Sequence, residues 1–255
     1  NIKITSYITT MINKNLLASF ISKYYLNGRF NQVKWRIKDN TLTVFAGESG
    51  RACKVELKDF ELPDSELGVF DTNKLSKLIS ITSGELLVTC ETQGALSQKL
   101  NIADLGFDVS YSLSDPLIIP KIKFYNDPET WEMELDLTTV DMDSLIKAKN
   151  ALADYNYFTL NAVNNEDGDI ISEFTFGDGN NYSNKIQYKI QGKIDKGLLG
   201  TPIPFDANLF KEILNSNKEM TTSTLKLSDR GMVKLEFVSD NISSTYYIAR
   251  NERTD

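Results

Sequence analysis

The sequence predicts an α+β protein made of two domains that share one order of elements. Stretches in which apolar and polar residues alternate dominate the 255 residues, as antiparallel strands with one buried face require. Four other segments carry apolar side chains at helical spacing. After a stretch with three prolines the pattern starts again, with a period of about 125 residues, which indicates a duplicated architecture.

The strand predictions form two groups that are separated by the proline-containing stretch. Alternating residues in the first group are 2–9, 33–37, 41–45, 52–57, 85–91 and 95–102. In the second group they are 131–137, 224–227, 233–238 and 244–249. Turn-forming residues such as Asp39-Asn40 and Gln93-Gly94 lie between neighbouring strands and favour hairpins.

Helices are predicted over residues 13–26, 72–80, 141–153 and 207–218, two in each half of the chain. Each segment has a stripe of Leu, Ile, Phe or Met on one face and polar residues on the other. Asp71, Asp141 and Asp206 are expected to begin three of these helices, because a carboxylate can accept hydrogen bonds from the first backbone N–H groups.

Pro116, Pro120 and Pro128 interrupt regular structure between the two halves. We therefore expect a first domain over residues 1–115, an interdomain linker over 116–130 and a second domain over 131–255.

Composition argues against the common kinds of enzyme. The chain has no histidine, so the Ser-His-Asp and Cys-His relays and ordinary zinc sites are excluded. Its two cysteines, Cys53 and Cys90, form no disulfide framework and favour a reducing compartment. No apolar run approaches the roughly 20 residues of a membrane span, and the first residues lack the layout of a secretion signal. We expect a cytoplasmic protein of a (host) cell, with no membrane contact.

The positive charge lies mainly in the predicted helices. The net charge is −7, yet the four helical bodies, the third counted from Ser144 onward, carry eight basic residues and one acidic residue, against 20 basic and 34 acidic residues elsewhere. An acidic protein with basic helices predicts a surface that faces phosphates. The candidate phosphate-facing residues are Lys14, Lys23, Lys74, Lys77, Lys147, Lys149, Lys211 and Lys218. Simple solvation of exposed lysines is the alternative, and Lys149 lies close to the apolar stripe of its helix, where a lysine can extend along apolar surface.

Three short segments resemble DNA sliding clamps. Residues 68–79 (Gly-Val-Phe-Asp-Thr-Asn-Lys-Leu-Ser-Lys-Leu-Ile) and 83–88 look like the second helix of these clamps and its flanking strands. Residues 245–249 (Thr-Tyr-Tyr-Ile-Ala) are similar to the closing strand of proliferating cell nuclear antigen and its relatives. Residues 100–104, Asp115-Pro116 and the linker look closest to the clamps of tailed phages, whereas residues 27–58 match no clamp closely.

This resemblance implies a DNA clamp fold in which each domain packs two helices on the back of antiparallel sheets. It also implies a homotrimeric ring around double-stranded DNA, without sequence preference, that tethers a replicative DNA polymerase and is opened by an ATP-dependent clamp loader. Neither enzymatic activity nor a cofactor is implied. By position, a pocket for partner peptides would include Phe45, Leu117, Ile118, Ile119, Tyr247 and Ala249.

Other functions remain open at this point. A monomeric processivity factor of similar fold would hold DNA without encircling it. A carboxylate-dependent hydrolase on a two-domain β scaffold would need two facing acids in a cleft, and a phage structural protein would form a much larger assembly.

Metal binding is a minor alternative for two acidic groups. Asp136, Asp141 and Asp143 lie close together in the sequence, but helix capping explains Asp141 better. Residues 164–169 resemble part of a calcium loop but lack its bidentate Glu, so we predict a hairpin turn there.

Overall fold

The structure is a computed structural model that describes residues 9–93, 96–122, 124–177 and 183–251. The helices in these residues are α1 (Lys14–Tyr25), α2 (Thr72–Ser80), α3 (Thr139–Ala151) and α4 (Ala207–Ser216). Strands of the first half are β1 (Thr9–Asn13), β2 (Val33–Lys38), β3 (Thr41–Glu48), β4 (Arg51–Leu57), β5 (Ser65–Val69), β6 (Glu85–Gln93), β7 (Leu96–Ala103) and β8 (Asp108–Ser112). Strands of the second half are β9 (Met133–Asp136), β10 (Tyr157–Asn164), β11 (Ile170–Gly177), β12 (Lys185–Ile190), β13 (Lys193–Ile194), β14 (Ile203–Asp206), β15 (Thr222–Ser228), β16 (Met232–Val238) and β17 (Ile242–Ala249).

The chain divides into two compact units. Unit 1 contains Asn1–Gly47, Cys53–Lys123 and Asp240–Ser244, and unit 2 contains Glu48–Ala52, Phe124–Ser239 and Thr245–Asp255. The predicted linker limits at residues 116 and 130 stay a prediction. Each unit contains two helices among antiparallel strands, so the predicted α+β class and the repeated pair of helices are confirmed.

Unit 1 arranges its strands in two antiparallel groups, ordered β1-β6-β7-β8 and β4-β3-β2-β5. Buried and less buried residues alternate along β2 and β3, so one face of each strand packs into the core. In β5, a Cβ on Gly68 would lie 2.3 Å from the carbonyl oxygen of Ser114. Glycine is therefore required where the end of the first half crosses β5, and the Ser114 N–H donates to the Gly68 carbonyl at 2.9 Å.

Unit 2 repeats this arrangement with the strand orders β12-β11-β10-β14 and β13-β9-β15-β16-β17. Its core contains an aromatic cluster around Phe158, whose ring centroid lies 4.6 Å from that of Phe210 and 5.5 Å from that of Phe176. Unit 1 has an aromatic cluster of its own in which Trp35 packs edge-to-face on Phe20, and the Trp35 indole N–H donates to the Tyr24 hydroxyl at 3.1 Å.

Side-chain caps begin all four α-helices. Asp71 accepts a hydrogen bond from the Lys74 N–H at 3.0 Å and Asp206 accepts one from the Leu209 N–H at 2.8 Å, which confirms both predicted caps. The third predicted cap is wrong by one turn. Thr138 is the N-cap of α3, and Asp141 completes a capping box from the third helical position because its carboxylate accepts the Thr138 N–H.

Most predicted strands and all four predicted helices occur within a few residues of their expected limits. Residues 2–8 of the first predicted strand and the hairpin turn at residues 94–95 lie outside the described residues. The glycine-containing loop at 192–201 includes the short strand β13 and a turn of 3-10 helix. Among the described residues, no helix has the length and apolar character needed to cross a membrane.

Replacing Phe158 with Ala should lower the free energy of unfolding of unit 2 by about 3–5 kcal/mol, because it leaves a cavity amid four other phenylalanines. Urea denaturation monitored by circular dichroism measures this change. The matched control is Val140→Ala, since Val140 is 70% exposed and should change stability by no more than about 0.5 kcal/mol. Equal effects of the two substitutions would contradict the packing described.

Candidate nucleic-acid interface and partner site

The two helices of each unit pack against one another, α1 on α2 in unit 1 and α3 on α4 in unit 2. In unit 1 the Lys14 ammonium lies 3.4 Å from the carbonyl oxygen of Ser80, so the start of α1 meets the end of α2. Each pair buries its apolar stripes, and its polar faces therefore decide what charge the pair presents to solvent.

Three of the four lysines that are predicted to face phosphates in unit 1 reach solvent. Lys74 and Lys77 are exposed on α2, whereas Leu75 and Ile79 of the same helix are buried. Lys14 is half-buried at the start of α1. These three lysines reach solvent on the helix pair of unit 1, and their contact with DNA stays a prediction.

Lys23 does not belong to this surface, which corrects the prediction. Its side chain is 0% exposed because it shares the buried stripe of α1 with Phe20, three residues earlier, and with Tyr24. A lysine in this position contributes to the interior of unit 1 and is not available to a phosphate.

Unit 2 also presents three lysines on its helix pair. Lys147 is exposed on α3, and Lys211 and Lys218 are half-buried at α4 and just after it. Lys218 forms an ion pair with Asp143 at 2.7 Å, and Lys211 lies 3.9 Å from Glu212. The surface is therefore basic but partly neutralised by its neighbours.

Lys149 is buried, with 4% of its surface exposed, so its predicted contact with DNA is also corrected. Its ammonium donates to the carbonyl oxygen of Ala153 at 2.8 Å, just beyond the last turn of α3. Burial, followed by the charge of Lys211, lowers the pKa of Lys149 below its ordinary value. The role of this residue is to satisfy backbone carbonyls where α3 ends.

Two acidic residues of α3, Asp141 and Asp143, bind neighbouring side chains. Because α3 starts at Thr139, it contains Asp141 and Asp143, so it is less basic than the charge count from Ser144 onward predicts. Hydrogen bonding to Lys218 and the charge of that lysine lower the pKa of Asp143, and Tyr188 donates its hydroxyl to Asp141 at 2.8 Å. The described part of the chain contains no group of His, Cys, Asp and Glu that could hold a metal ion.

The loop that resembles part of a calcium site is a turn. The side chain of Asn165 accepts hydrogen bonds from the backbone N–H groups of Asp167 at 3.0 Å and Asp169 at 2.8 Å. This Asx turn connects β10 and β11, as the sequence predicted.

Four of the six predicted partner-pocket residues lie in unit 1. Phe45 in β3 is half-buried, and the Arg36 guanidinium and the Lys54 ammonium lie 5.6 and 5.8 Å from its ring centroid. Leu117 and Ile118 are exposed in a short 3-10 turn, whereas Ile119 is buried. The structure thus leaves two of the three predicted linker residues open to solvent.

Tyr247 and Ala249 lie on β17 in unit 2, and Tyr247 is 5% exposed because linker residues cover it. The ring of Phe124 meets the Tyr247 ring edge-to-face, with centroids 5.3 Å apart. The ring of Tyr125 lies 6.0 Å away at a tilt of 35°, and its hydroxyl accepts the Gly50 N–H at 2.9 Å. Two aromatic side chains of the linker therefore occupy the surface of Tyr247.

Charged groups complete this covering. The Tyr247 hydroxyl donates to one carboxylate oxygen of Asp127 at 2.5 Å, and the Lys234 ammonium donates to the other at 2.9 Å. Lys234 also pairs with Glu236 at 2.9 Å and lies 5.7 Å from the Tyr247 ring centroid. Burial, together with the hydrogen bond to Asp127, raises the pKa of Tyr247 to about 12. Desolvation alone would raise the pKa of Asp127, but its hydrogen bonds to Tyr247 and Lys234 outweigh that effect and lower the pKa.

A small cavity of about 160 Å³ adjoins Ala249 within unit 2. Arg51 lies at its wall and pairs with Glu48 at 2.9 Å and with Asp206 at 3.4 Å. The lining residues are Ser49, Gly50, Arg51, Asp206, Leu209, Ile248, Ala249, Arg250 and Asn251. Gly50 joins this cavity to the aromatic covering, since its N–H binds Tyr125.

Sequence reasoning identified Tyr247 but missed Asp127 and Lys234. The signal for Lys234 is its place between Val233 and Leu235 in β16, where three consecutive residues are buried and a lysine needs a partner. No comparable signal exists for Asp127, because its contact depends on the path of an irregular segment.

Comparison with solved structures identifies the class of fold, which is that of proliferating cell nuclear antigens (PCNA). The PCNA of Archaeoglobus fulgidus (A. fulgidus), solved with the C-terminal region of FEN-1 bound, superposes with a TM-score of 0.73 and 15% identity over 97% of this chain and 100% of the other. PCNA from Entamoeba histolytica superposes with a TM-score of 0.75 and 11% identity over 97% and 99%. The PCNA2-PCNA3 complex from Sulfolobus tokodaii gives a TM-score of 0.70 and 9% identity over 96% and 99%.

These likenesses confirm the predicted clamp fold over almost the whole chain. The particular likeness to phage clamps stays a prediction. Neither a protein-family profile nor a curated protein sequence matches the chain.

Replacing Asp127 with Asn should destabilise unit 2 by about 1 kcal/mol at pH 7, because Lys234 and Tyr247 lose a charged acceptor and the Asp127 side chain is 45% exposed. Folding lowers the pKa of Asp127. The wild type should therefore be more stable than the variant by the full amount above about pH 4, and this difference in unfolding free energy should disappear as the pH falls through the lowered pKa.

Urea midpoints measured across this pH range test the prediction. Glu129→Gln removes one exposed carboxylate from the same segment and serves as the control. A stability difference for Asp127→Asn that is independent of pH would contradict the assignment.

Proposed function

We propose that this protein is a sliding clamp, a homotrimeric ring that encircles duplex DNA and tethers a DNA polymerase. The observation that carries the proposal is the clamp fold over 96–97% of the chain, with a lysine-bearing helix pair in each unit. No catalytic step belongs to this function. The absence of histidine from the sequence supports that view.

Contact with DNA would come from Lys14, Lys74 and Lys77 in unit 1 and from Lys147, Lys211 and Lys218 in unit 2. These lysines lie on or just beyond the helices, and flexible ammonium groups would contact phosphates without reading sequence. Weak contacts of this kind suit a protein that moves along the duplex. The strongly acidic remainder of the chain would repel DNA from other surfaces.

Ring closure would come from edge strands of neighbouring subunits. In the described residues, β8 lies at one end of its sheet in unit 1 and β12 at one end of its sheet in unit 2. Such strands have one row of N–H and C=O groups available for another chain. Asp108 is exposed on β8, and Lys185 and Lys189 are exposed on β12. Pairing of these unlike edges is a head-to-tail contact, which generates a ring when its rotation closes.

A polymerase peptide would bind near Tyr247 and Ala249 of unit 2. The four pocket residues that the resemblance implies in unit 1, Phe45, Leu117, Ile118 and Ile119, stay a prediction. The A. fulgidus PCNA structure shows one clamp with a bound C-terminal region of FEN-1, which supports a peptide site in a protein of this fold. A closed ring also requires a device that opens it, and an ATP-dependent clamp loader is the proposed partner for that step.

Replacing Lys74, Lys77 and Lys147 with Glu should weaken binding to duplex DNA at least tenfold and reduce its salt dependence. The slope of log K against log[salt] should fall by about 0.9 for each phosphate that the variant no longer neutralises. Fluorescence anisotropy over a series of salt concentrations measures both quantities. Lys38, Lys58 and Lys99 are exposed outside the helices, and their replacement with Glu is the control with equal charge change. An equally large decrease in affinity for the control would contradict the proposed surface.

The proposed seam predicts a charge dependence of assembly. Light scattering of the wild type at several concentrations should show a mass near three times 28.8 kDa. Asp108→Lys, or Lys185→Asp with Lys189→Asp, should shift the protein toward monomer, and all three changes together should restore the trimer. A monomer at every wild-type concentration would favour the monomeric processivity factor instead. Trimers unaffected by every variant would contradict these edges as the seam.

A further inference from the structure

The linker segment that covers Tyr247 contacts the rest of unit 2 as a bound peptide would, through side chains and not through helix or strand hydrogen bonds. Apart from residue 123, which is not described, residues 120–132 form no helix or strand. The segment from Phe124 to Asp127, here named the strap, is fixed through side chains: two rings and a carboxylate on one site. Contacts of this kind can be exchanged without breaking a sheet or a helix.

The strap matches its site in both shape and charge. The Phe124 ring is edge-on to Tyr247, and the Tyr125 hydroxyl accepts the backbone N–H of Gly50. Two residues after Tyr125, the Asp127 carboxylate accepts from the Tyr247 hydroxyl and from Lys234. The site therefore binds an aromatic pair followed, after one intervening residue, by an acid.

Lys234 gives this site its selectivity. Its side chain is 11% exposed and lies between two carboxylates, those of Asp127 and Glu236. Displacement of the strap would leave the ammonium with Glu236 and one N–H without its acceptor, because a lysine has three N–H groups to satisfy. An incoming carboxylate would restore that hydrogen bond, whereas a neutral side chain would not.

We propose that the strap is a built-in pseudo-ligand that covers the Tyr247 surface in the free protein, and that a partner peptide displaces it by presenting two consecutive aromatic residues and then, one residue apart, a carboxylate for Lys234. The partner assignment rests on the proposed clamp function, since that function supplies a reason for a peptide to bind here. The strap raises the threshold for binding, so weak aromatic peptides are excluded and acidic ones are favoured.

The tether makes the strap an effective competitor. A short flexible tether holds a segment at an effective concentration of roughly millimolar beside its site. If the strap is open for about 1–10% of the time, the apparent affinity for a partner falls by about 10- to 100-fold. Removing the strap side chains should therefore strengthen binding of a peptide added in solution.

The probe is a synthetic peptide with the sequence of residues 121–130, Lys-Ile-Lys-Phe-Tyr-Asn-Asp-Pro-Glu-Thr. Its affinity is measured by isothermal titration calorimetry on the full chain and on Phe124→Ala/Tyr125→Ala. The peptide should bind the double variant at least about tenfold more tightly than the wild type. Val140→Ala, which changes an exposed residue outside the strap and outside the proposed peptide site, should bind like the wild type. Equal or weaker binding by the double variant would overturn the proposal.

A double-mutant cycle tests Lys234 separately. A second peptide has Asn in place of the Asp at position 127. It should bind the triple variant Phe124→Ala/Tyr125→Ala/Asp127→Asn, here called the opened protein, about tenfold more weakly than the first peptide, because Lys234 has lost its own Asp127 there. In the opened protein that also carries Lys234→Met, the two peptides should bind alike. A preference for the acidic peptide that survives Lys234→Met would overturn the role of Lys234. Circular dichroism confirms that each variant is folded.

These measurements use neither DNA nor a ring, so their outcome is separate from that of the clamp proposal. A trimer that fails to bind the probe after strap removal would refute the pseudo-ligand and leave the clamp intact. A monomer that binds the probe as described would refute the ring and leave the strap as a regulated peptide site of another assembly.

Discussion

Each unit must bury the apolar stripes of two short helices, and this requirement decides which charges reach solvent. The helices α1 and α3 each carry two of the predicted lysines, and each has one of them in the interior, Lys23 and Lys149 respectively. The partner helices α2 and α4, with three-residue to four-residue spacing of their apolar side chains, keep their lysines outside the stripe. What remains is the same in both units: three lysines on one helix pair, in a chain of net charge −7.

The same principle of burial and charge explains the second site. In β16 a lysine occupies a position between buried apolar residues, and burial of an ammonium is tolerated when hydrogen-bond acceptors satisfy it. Lys234 meets this need with Glu236 from its own strand and Asp127 from the linker. The ion pair between Lys234 and Asp127 therefore fixes an otherwise irregular segment over Tyr247. Any function that requires displacement of this segment then depends on charge as well as on apolar contact.

The elements themselves could be predicted from sequence, because helix stripes, capping residues and alternating strands are local signals. The limits of α2 follow from Asp71 and the stripe of Leu75 and Ile79. The site could be predicted only in part. Helical periodicity placed Lys149 close to the apolar stripe, but the burial of Lys23 depends on what packs against α1 from distant parts of the chain. The contact of Asp127 with Lys234 joins residues 107 positions apart, and no periodicity encodes such a pair.

The claim that the protein encircles DNA is tested most directly by blocking the ends of a linear duplex. The protein is threaded onto linear DNA, both ends are capped with a bulky protein, and the salt concentration is raised until phosphate contacts no longer retain a bound protein. A ring stays on the capped DNA and leaves when one cap is removed by cleavage, because only an open end releases a topological link. Dissociation at the same rate from capped and uncapped DNA would contradict encirclement and would assign the basic helix faces to a protein that holds DNA from one side.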